Sequence, residues 1–441
     1  MCNPPRQAGQ PLRNYFVNDM FRRAAARREA ASTLCKEPPL RVLFLHQNAP
    51  GQFRHLAPHL AEDPANEVAF LGERRVAAPG RVRWLRYPVP EPPGTATHHY
   101  LHRMEGNVRR GQAVVRACLD LRADGFTPDV VVAHAGWGET MFLRDVLPRA
   151  AILSYCEMFY RSEGQDTGYL PETALDLDGR CRLRVWNADL LTALDLMDRG
   201  MAPTAWQRAQ HPTPYQSRIA VVHDGVDTAE VAPDPRARFT LRDGRVLTPG
   251  DEVVTFVARH LEPVRGFTVL MRALPALLRR RPGAQVVICG EDGVSYGRLP
   301  PEGGTWGAAM LREVPVDPAR VHFTGRLARR EYLALLQVSA LHLYLTVPFV
   351  LSWSCVEALS AGCLLLGSDV APVREVLRDG VNGFLVDGRD PEAVAGRAAD
   401  VLAHRASLGP VRDRARAMAM RHFDLRDCLR QQSRLIQDIV P

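Results

Sequence analysis

From Arg41 onward the chain alternates short, continuous apolar runs with longer segments whose apolar positions recur every three or four residues. RVLFLHQ (41–47), EVAFLGE (67–73), DVVVAHA (129–135) and AAILSYC (150–156) lack the in–out alternation of a half-exposed strand. They predict parallel strands buried on both faces. RIAVVHDGV (218–226) closes this series, with helical patterns such as FRHLAPHLAED (53–63) and VVRACLDLRADG (114–125) between the runs. FTLRDGRVLT (239–248) then sets Asp-Gly between two short strands, which predicts a hairpin. A second series follows: EVVTFVAR (252–259), AQVVICGED (284–292), RVHFTGR (320–326), ALHLYLT (340–346) and CLLLGSD (363–369). Its helices include TVLMRALPALLRRR (268–281) and EYLALLQVSA (331–340). Strand and helix in turn predict an α/β chain of two Rossmann-like, doubly wound parallel-sheet domains, 40–235 and 236–420. Residues 421–441 end in the amphipathic pattern LRDCLRQQSRLIQDIV (425–440), a helix expected to return to the first domain. Two such domains predict a ligand cleft at the carboxyl ends of both sheets.

Composition narrows the class. The 441 residues are 46% apolar and 24% charged, enough for two or three domains with proper cores at about 150 residues each. Disordered, collagen-like and disulfide-stapled classes are excluded. The net charge of +7 is carried almost wholly by arginine, Lys36 being the single lysine. That balance suits phosphate-bearing ligands or an anionic membrane surface, and is too small and dispersed to indicate nucleic acid. Nine cysteines without a C-x-x-C pair predict free thiols in a reducing, cytoplasmic setting and no zinc site. Val338–Val356 lacks any charged residue over 19 positions, but Pro348 at its middle predicts a buried strand, a turn and a buried helix rather than a membrane span. Residues 1–39 read as an extension. Within it Asn14–Ala31 is a basic helical pattern that admits two readings, a membrane-surface or partner helix and a frayed segment.

Chemistry is sought at the strand ends. Arg259 ends a strand, Arg265 follows six residues on, and Gly266 opens a helix. Two guanidiniums beside a helix N-terminus make an anion site, because backbone N–H groups and Arg forks both favour phosphate. Surface salt bridges are the alternative. Ser352-Trp353-Ser354-Cys-Val-Glu357 reads as a loop running into a helix. There Glu357 either completes a capping box with Ser354 or accepts hydrogen bonds from a ribose. Glu157, Tyr160, Arg161 and Glu163 follow another strand end and combine aromatic faces with polar groups, as a sugar-binding loop or a structural lid would.

Arg–x5–Arg–Gly, SWSCVEALSAG, and LLLGSDVAPVREVLRDGVNGFLV together resemble the donor half of the GT-B fold retaining glycosyltransferases, family 4. IAVVHDGVDTAEVAPD (219–234) is similar to that family's inter-domain segment, with Asp224 where Asn is usual. LHQNAPGQFRHLAPHLA (45–61) resembles the subgroup with an N-terminal GQFRHLA segment, so the likeness runs over about 41–425. It implies that Arg259 and Arg265 bind the donor diphosphate, Glu357 the ribose, and that Arg326 and Leu327 lie near the base. Ser352, Trp353 and Ser354 would open the helix that faces the donor. Gly51 and Gln52 would approach phosphate or acceptor, and His134 the transferred sugar.

One position departs from the pattern. Where the family carries the first of two glutamates eight positions apart, this chain has Phe349. An altered sugar, a substitute carboxylate such as Glu291 or Asp292, and a weakened enzyme are the three consequences. The resemblance implies transfer of a hexose from a UDP- or GDP-linked sugar to a glycan, lipid-linked or small-molecule acceptor, as in polysaccharide biosynthesis. The mechanism would be front-face and metal-independent, with no cofactor and the protein cytoplasmic or peripheral at the inner membrane face. A catalytically weak sugar-nucleotide-binding partner subunit is the alternative that Phe349 keeps open.

Overall fold

The structure, a computed structural model, describes residues 39–74 and 80–440. The Asn14–Ala31 pattern lies outside them. The first seven strands are β1 (Arg41–Leu45), β2 (Glu67–Gly72), β3 (Arg83–Arg86), β4 (Val130–His134), β5 (Ala151–Tyr155), β6 (Arg199–Ala202) and β7 (Ile219–Val221). They form one parallel sheet in the order β3-β2-β1-β4-β5-β6-β7. A short antiparallel pair, β8 (Phe239–Thr240) and β9 (Val246–Leu247), forms the expected hairpin. The second parallel sheet joins β10 (Val253–His260), β11 (Gln285–Glu291), β12 (Val321–Gly325), β13 (Leu341–Tyr344), β14 (Leu365–Ser368) and β15 (Phe384–Val386) in the order β12-β11-β10-β13-β14-β15. This is the architecture of two doubly wound α/β domains.

The central strands carry almost no exposed residue: β4 and β5 are buried throughout, and β1 in all but Arg41. Each sheet is therefore covered on both faces, which is what continuous apolar runs require. Strand order reverses between β1 and β4 in one sheet and between β10 and β13 in the other. At such switch points the two flanking crossovers leave on opposite faces, and a crevice opens beyond the strand ends. His46 and His134 follow or end the first pair of strands, Arg259 and Thr346 the second.

The loop after β5 joins the two halves. Met158 and Leu170 are buried in the second domain's core, among Phe256, Val264 and Phe349. On the far side, Glu375 accepts the backbone N–H groups of Ala205 (2.7 Å) and Trp206 (2.9 Å). The C-terminal helix, Leu425–Gln437, buries Leu429, Leu435 and Ile436 with β1, β2 and β4 side chains of the first domain. Gln432 on that helix donates to the His223 carbonyl at 2.8 Å. The Val338–Val356 stretch holds β13, a loop through Pro348 and the start of the helix Trp353–Ser360. Among the described residues no helix is long and apolar enough to cross a membrane.

Candidate active site

A partly buried chain of hydrogen bonds crosses the carboxyl edge of the first sheet. The Asn48 N–H donates to His46 Nδ1 (3.0 Å), which leaves the His46 proton on Nε2, where it meets Gln52 Oε1 at 2.7 Å. Gln52 Nε2 donates in turn to Glu157 Oε1 at 2.9 Å. The second carboxylate oxygen lies 3.4 Å from His134 Nε2. Gly136 N–H donates to His134 Nδ1 at 3.0 Å, so His134 also carries its neutral-form proton on Nε2. That bond fixes the ring, but its partner is an N–H, not the carbonyl expected of an ordinary core histidine.

His134 Nε2 is the loose end. It is buried and lacks a close hydrogen-bond partner, while the ring stacks on Trp137 with centroids 4.0 Å apart. Burial, with His134 next in weight, lowers the His46 pKa to about 3, which keeps that ring neutral. Burial opposes the charge on Glu157, yet the His134, His46 and Gln52 contacts outweigh it and hold the carboxyl below its usual range. Gly51 makes the turn possible: at φ 50° a Cβ would strike the His46 ring at 2.3 Å.

The second domain contributes cations. Arg259, Arg265 and Ser352 line one recess at the ends of β10 and β13. Neither arginine makes an ion pair among the described residues. Arg265 is held by the Val350 carbonyl at 3.4 Å and by the rings of Tyr296 and Phe349. Gly266, at φ 74°, opens the helix Phe267–Arg280, and a Cβ there would run into the Leu345 backbone at 2.7 Å. Only glycine allows the helix start to come so close to the strand end.

Glu357 corrects one expectation. The helix Trp353–Ser360 is capped by Ser352, whose side chain accepts from Ser354 N, so Ser354 and Glu357 form no capping box. Glu357 is 6% exposed; it accepts from Arg329 Nη1 (2.5 Å) and from the Tyr332 hydroxyl (2.6 Å). Arg329 also reaches Glu230 at 2.7 Å. Trp353 points back across the cleft: its Nε1 donates to Asp224 at 2.7 Å, and the Arg54 guanidinium lies 4.3 Å from its ring. Asp224 also accepts from the Tyr155 hydroxyl at 3.1 Å, so one carboxylate ties the ends of both halves.

Other expected residues separate. Tyr160 joins His134, Trp137 and Glu157 around one pocket, whereas Arg161 and Glu163 do not. The Arg161 guanidinium is committed to the Gln210 carbonyl at 2.9 Å, and Glu163 is exposed. Arg326 and Leu327 line a different recess, beside the β8–β9 hairpin at the sheet edge. Glu291 sits 3.7 Å from His260, and Asp292 accepts from the Thr305 hydroxyl (2.6 Å) and Gly307 N (3.0 Å) at a helix start. Phe349, where the carboxylate is absent, is itself 1% exposed. His46, Arg329 and Tyr332 are site residues that the sequence reading does not name, and of these His46 has a visible signal, its place directly after a buried strand. Among the described residues no cluster of His, Cys, Asp and Glu could hold a metal ion.

Comparison with known proteins gives matches along both domains. Residues 64–231 match the glycosyl transferase family 4 group, and residues 251–404 match glycosyl transferases group 1. A D-inositol 3-phosphate glycosyltransferase of Mycolicibacterium vanbaalenii is 33% identical over 222 residues, 48% of this chain and 47% of that protein. A GDP-mannose-dependent alpha-(1-6)-phosphatidylinositol monomannoside mannosyltransferase of Mycolicibacterium smegmatis is 29% identical over 231 residues, covering 50% and 56%. The chain thus spans about half the length of the curated relatives it matches. Among solved structures, Anabaena Alr3699/HepE in complex with UDP superposes with TM-score 0.62 at 14% identity, over 90% of this chain and 100% of that one. Sucrose-phosphate synthase from Thermosynechococcus elongatus gives 0.64 at 16%, over 91% and 99%. These two likenesses establish the fold.

Proposed function

This chain belongs to the family 4 and group 1 glycosyltransferases, and from that premise we propose that it moves a hexose from a nucleotide diphosphate sugar to a hydroxyl acceptor with retention at the anomeric carbon. The observation that carries this reading is the pairing of two arginines, without an ion pair among the described residues, with the partly buried His134–Glu157–Gln52–His46 chain. The arginines and the helix start at Gly266 take the diphosphate, and their charge stabilises it as it leaves. Glu357, set by Arg329 and Tyr332, accepts the ribose hydroxyls. On the opposite wall His134 Nε2–H offers a hydrogen bond to the sugar as positive charge grows at its first carbon.

With no carboxylate nucleophile placed by these residues, the front-face route fits. The bond from phosphate oxygen to the anomeric carbon breaks, the acceptor oxygen bonds on the same face, and the departing phosphate takes the acceptor proton. The protein's own charges serve the leaving group, so the step needs no metal. UDP and GDP are the candidate carriers. UDP occurs in the HepE complex and a GDP sugar in the name of the M. smegmatis relative. A glycan, lipid-linked or small-molecule hydroxyl is the acceptor class, met by the pocket of Trp137, Glu157 and Tyr160.

Saturation-transfer NMR against UDP-, GDP- and ADP-sugars, followed by a hydrolysis assay on the best binder, tests the reading. Binding with slow release of free sugar is expected. Because Phe349 removes a polar contact, binding without turnover over an acceptor panel would instead support a non-catalytic partner subunit. Absence of binding to all three classes ends both.

A further inference from the structure

Glu262 lies three residues before Arg265 and is 1% exposed. Its carboxylate accepts the backbone N–H groups of Ser295 (3.2 Å), Tyr296 (3.2 Å) and Gly297 (2.8 Å). A single buried acid thus binds the loop after β11 to the segment that carries Arg265. A Cβ at Gly297 would meet Glu262 Oε2 at 3.1 Å, so the loop passes as close as its smallest residue permits. Three N–H bonds to one carboxylate make this a firm anchor rather than a surface contact.

The loop so anchored presents Tyr296. Its ring packs edge-on against Phe349, with centroids 4.8 Å apart and planes at 62°. The Arg265 guanidinium lies 5.2 Å from the Tyr296 centroid and 5.5 Å from that of Phe349. Phe349 is closed off, whereas Tyr296 is 42% exposed and lines a recess with Asp166, Thr167 and Trp306. Burial, with the Glu157 carboxylate next in weight and against the pull of Arg265 and Arg259, raises the Tyr296 phenol pKa and keeps the group neutral. Tyr296 therefore stands beside the guanidinium of the cation recess, with Phe349 behind it.

We propose that Tyr296 is a donor-sugar specificity residue, its hydroxyl and ring edge contacting the hexose whose diphosphate Arg259 and Arg265 hold. The assignment rests on the donor reading of those two arginines. A sugar presents hydroxyls that need both donors and acceptors, and a phenol supplies one of each while staying neutral. Its apolar body suits the C–H face of the ring. A carboxylate at position 349 would pair with Arg265 and neutralise it. Two aromatic rings hold the same guanidinium and leave its charge for the phosphate. Phe349 and Tyr296 thereby divide the work: one seats the arginine and the tyrosine, and the other reads the sugar.

Calorimetric titration of the full chain with UDP, GDP, UDP-glucose, UDP-galactose and GDP-mannose tests this. In Tyr296→Phe, affinity for the better free diphosphate should stay within about twofold. The ratio of sugar-conjugate to free-diphosphate affinity should fall about five- to tenfold, with a matching loss in kcat/KM. Tyr296→Ala should lose more and flatten the preference among the sugars, and Phe349→Leu should fall between. An unchanged ratio and an unchanged sugar preference in both tyrosine variants overturn the proposal. Equal losses for diphosphate and conjugate do so too, since Tyr296 would then act only through Arg265. Arg265→Ala keeps the two claims apart. If it leaves diphosphate affinity intact, the donor reading fails and Tyr296 falls with it; if it abolishes binding while Tyr296→Phe changes nothing, only Tyr296 falls.

Discussion

The two walls of the cleft handle polarity in opposite ways. On the first domain the polar groups are linked to one another: His46, Gln52 and Glu157 bond in sequence, and His134 is fixed at Nδ1. On the second, Arg259 and Arg265 line a recess, and among the described residues no acid is paired to them. A matched wall is rigid, and its geometry exists before any ligand arrives. An unmatched cation is tolerable only where water or an anion can reach it. The contrast separates two tasks: one wall positions, the other attracts.

The sharpest way to break this contrast is His134→Ala. The ring carries a buried, unmade hydrogen bond at Nε2. Removing it should lower kcat by roughly 10²-fold or more, the range for one positioned polar group at a reacting centre. Affinity for UDP or GDP alone should stay within about threefold. Steady-state kinetics on an identified donor and acceptor measure both, and a wild-type kcat would make His134 structural.

Next in size is the second wall itself. Arg259→Ala and Arg265→Ala should each weaken donor binding about ten- to hundredfold, as for a lost charge-assisted bond. Their losses should shrink as salt rises, because the attraction is between charges reached by water. His134→Ala should show no such salt dependence. If both arginine variants bind the nucleotide as before, the wall does not attract phosphate.

Glu357→Gln probes a matched acid on the cationic side. Glutamine keeps the size but offers no charge to Arg329, whose side chain is 42% exposed and still solvated. A stability loss of about 1 kcal/mol is therefore expected, small because water screens the pair. Nucleotide affinity should fall about fivefold. A melting temperature that drops with unchanged affinity would leave Glu357 as a clamp for Arg329 and Tyr332 only.

How much of this was legible beforehand follows from the same contrast. The central strands could be read because burial on both faces writes itself as an unbroken apolar run. β3 (RWLR) and β6 (RGMA) could not: the first is a half-exposed edge strand and the second is four residues long. The long helices His102–Ala123 and Leu177–Leu196 were cut short or missed because charged residues interrupt their apolar faces. Arg259, Arg265 and Gly266 were visible because they are adjacent in sequence. The clamp of Glu262 on residues 295–297 and the Arg329–Glu357 pair join distant segments, and nothing local marks them. Asp224 illustrates the limit: its substitution for Asn stood out in the sequence, but its role depends on two partners, 69 and 129 positions away.

That carboxyl gives the smallest effect on the reaction and the clearest one on stability. Asp224 is 7% exposed, and burial pushes its pKa from 3.8 up to about 7, against the pull of the Trp353 and Tyr155 hydrogen bonds. Between about pH 4 and pH 7 the unfolded chain has released this proton and the folded one retains it. The folded state therefore binds more protons, and stability falls as pH rises, by up to about 1.4 kcal/mol per unit from this group alone. Above pH 7 both states are ionised and the loss levels off. Asn at this position has the same shape, and its carbonyl oxygen can accept from Trp353 and Tyr155 alike. Asp224→Asn should match the parent chain near pH 4, exceed it in melting temperature at pH 8, and keep turnover within about twofold at pH 6. The tie between the walls would then be a matter of shape and hydrogen bonding. Should the variant melt lower at pH 8, or lose turnover tenfold, the charge itself joins the two halves and Asp224 belongs with the attracting wall.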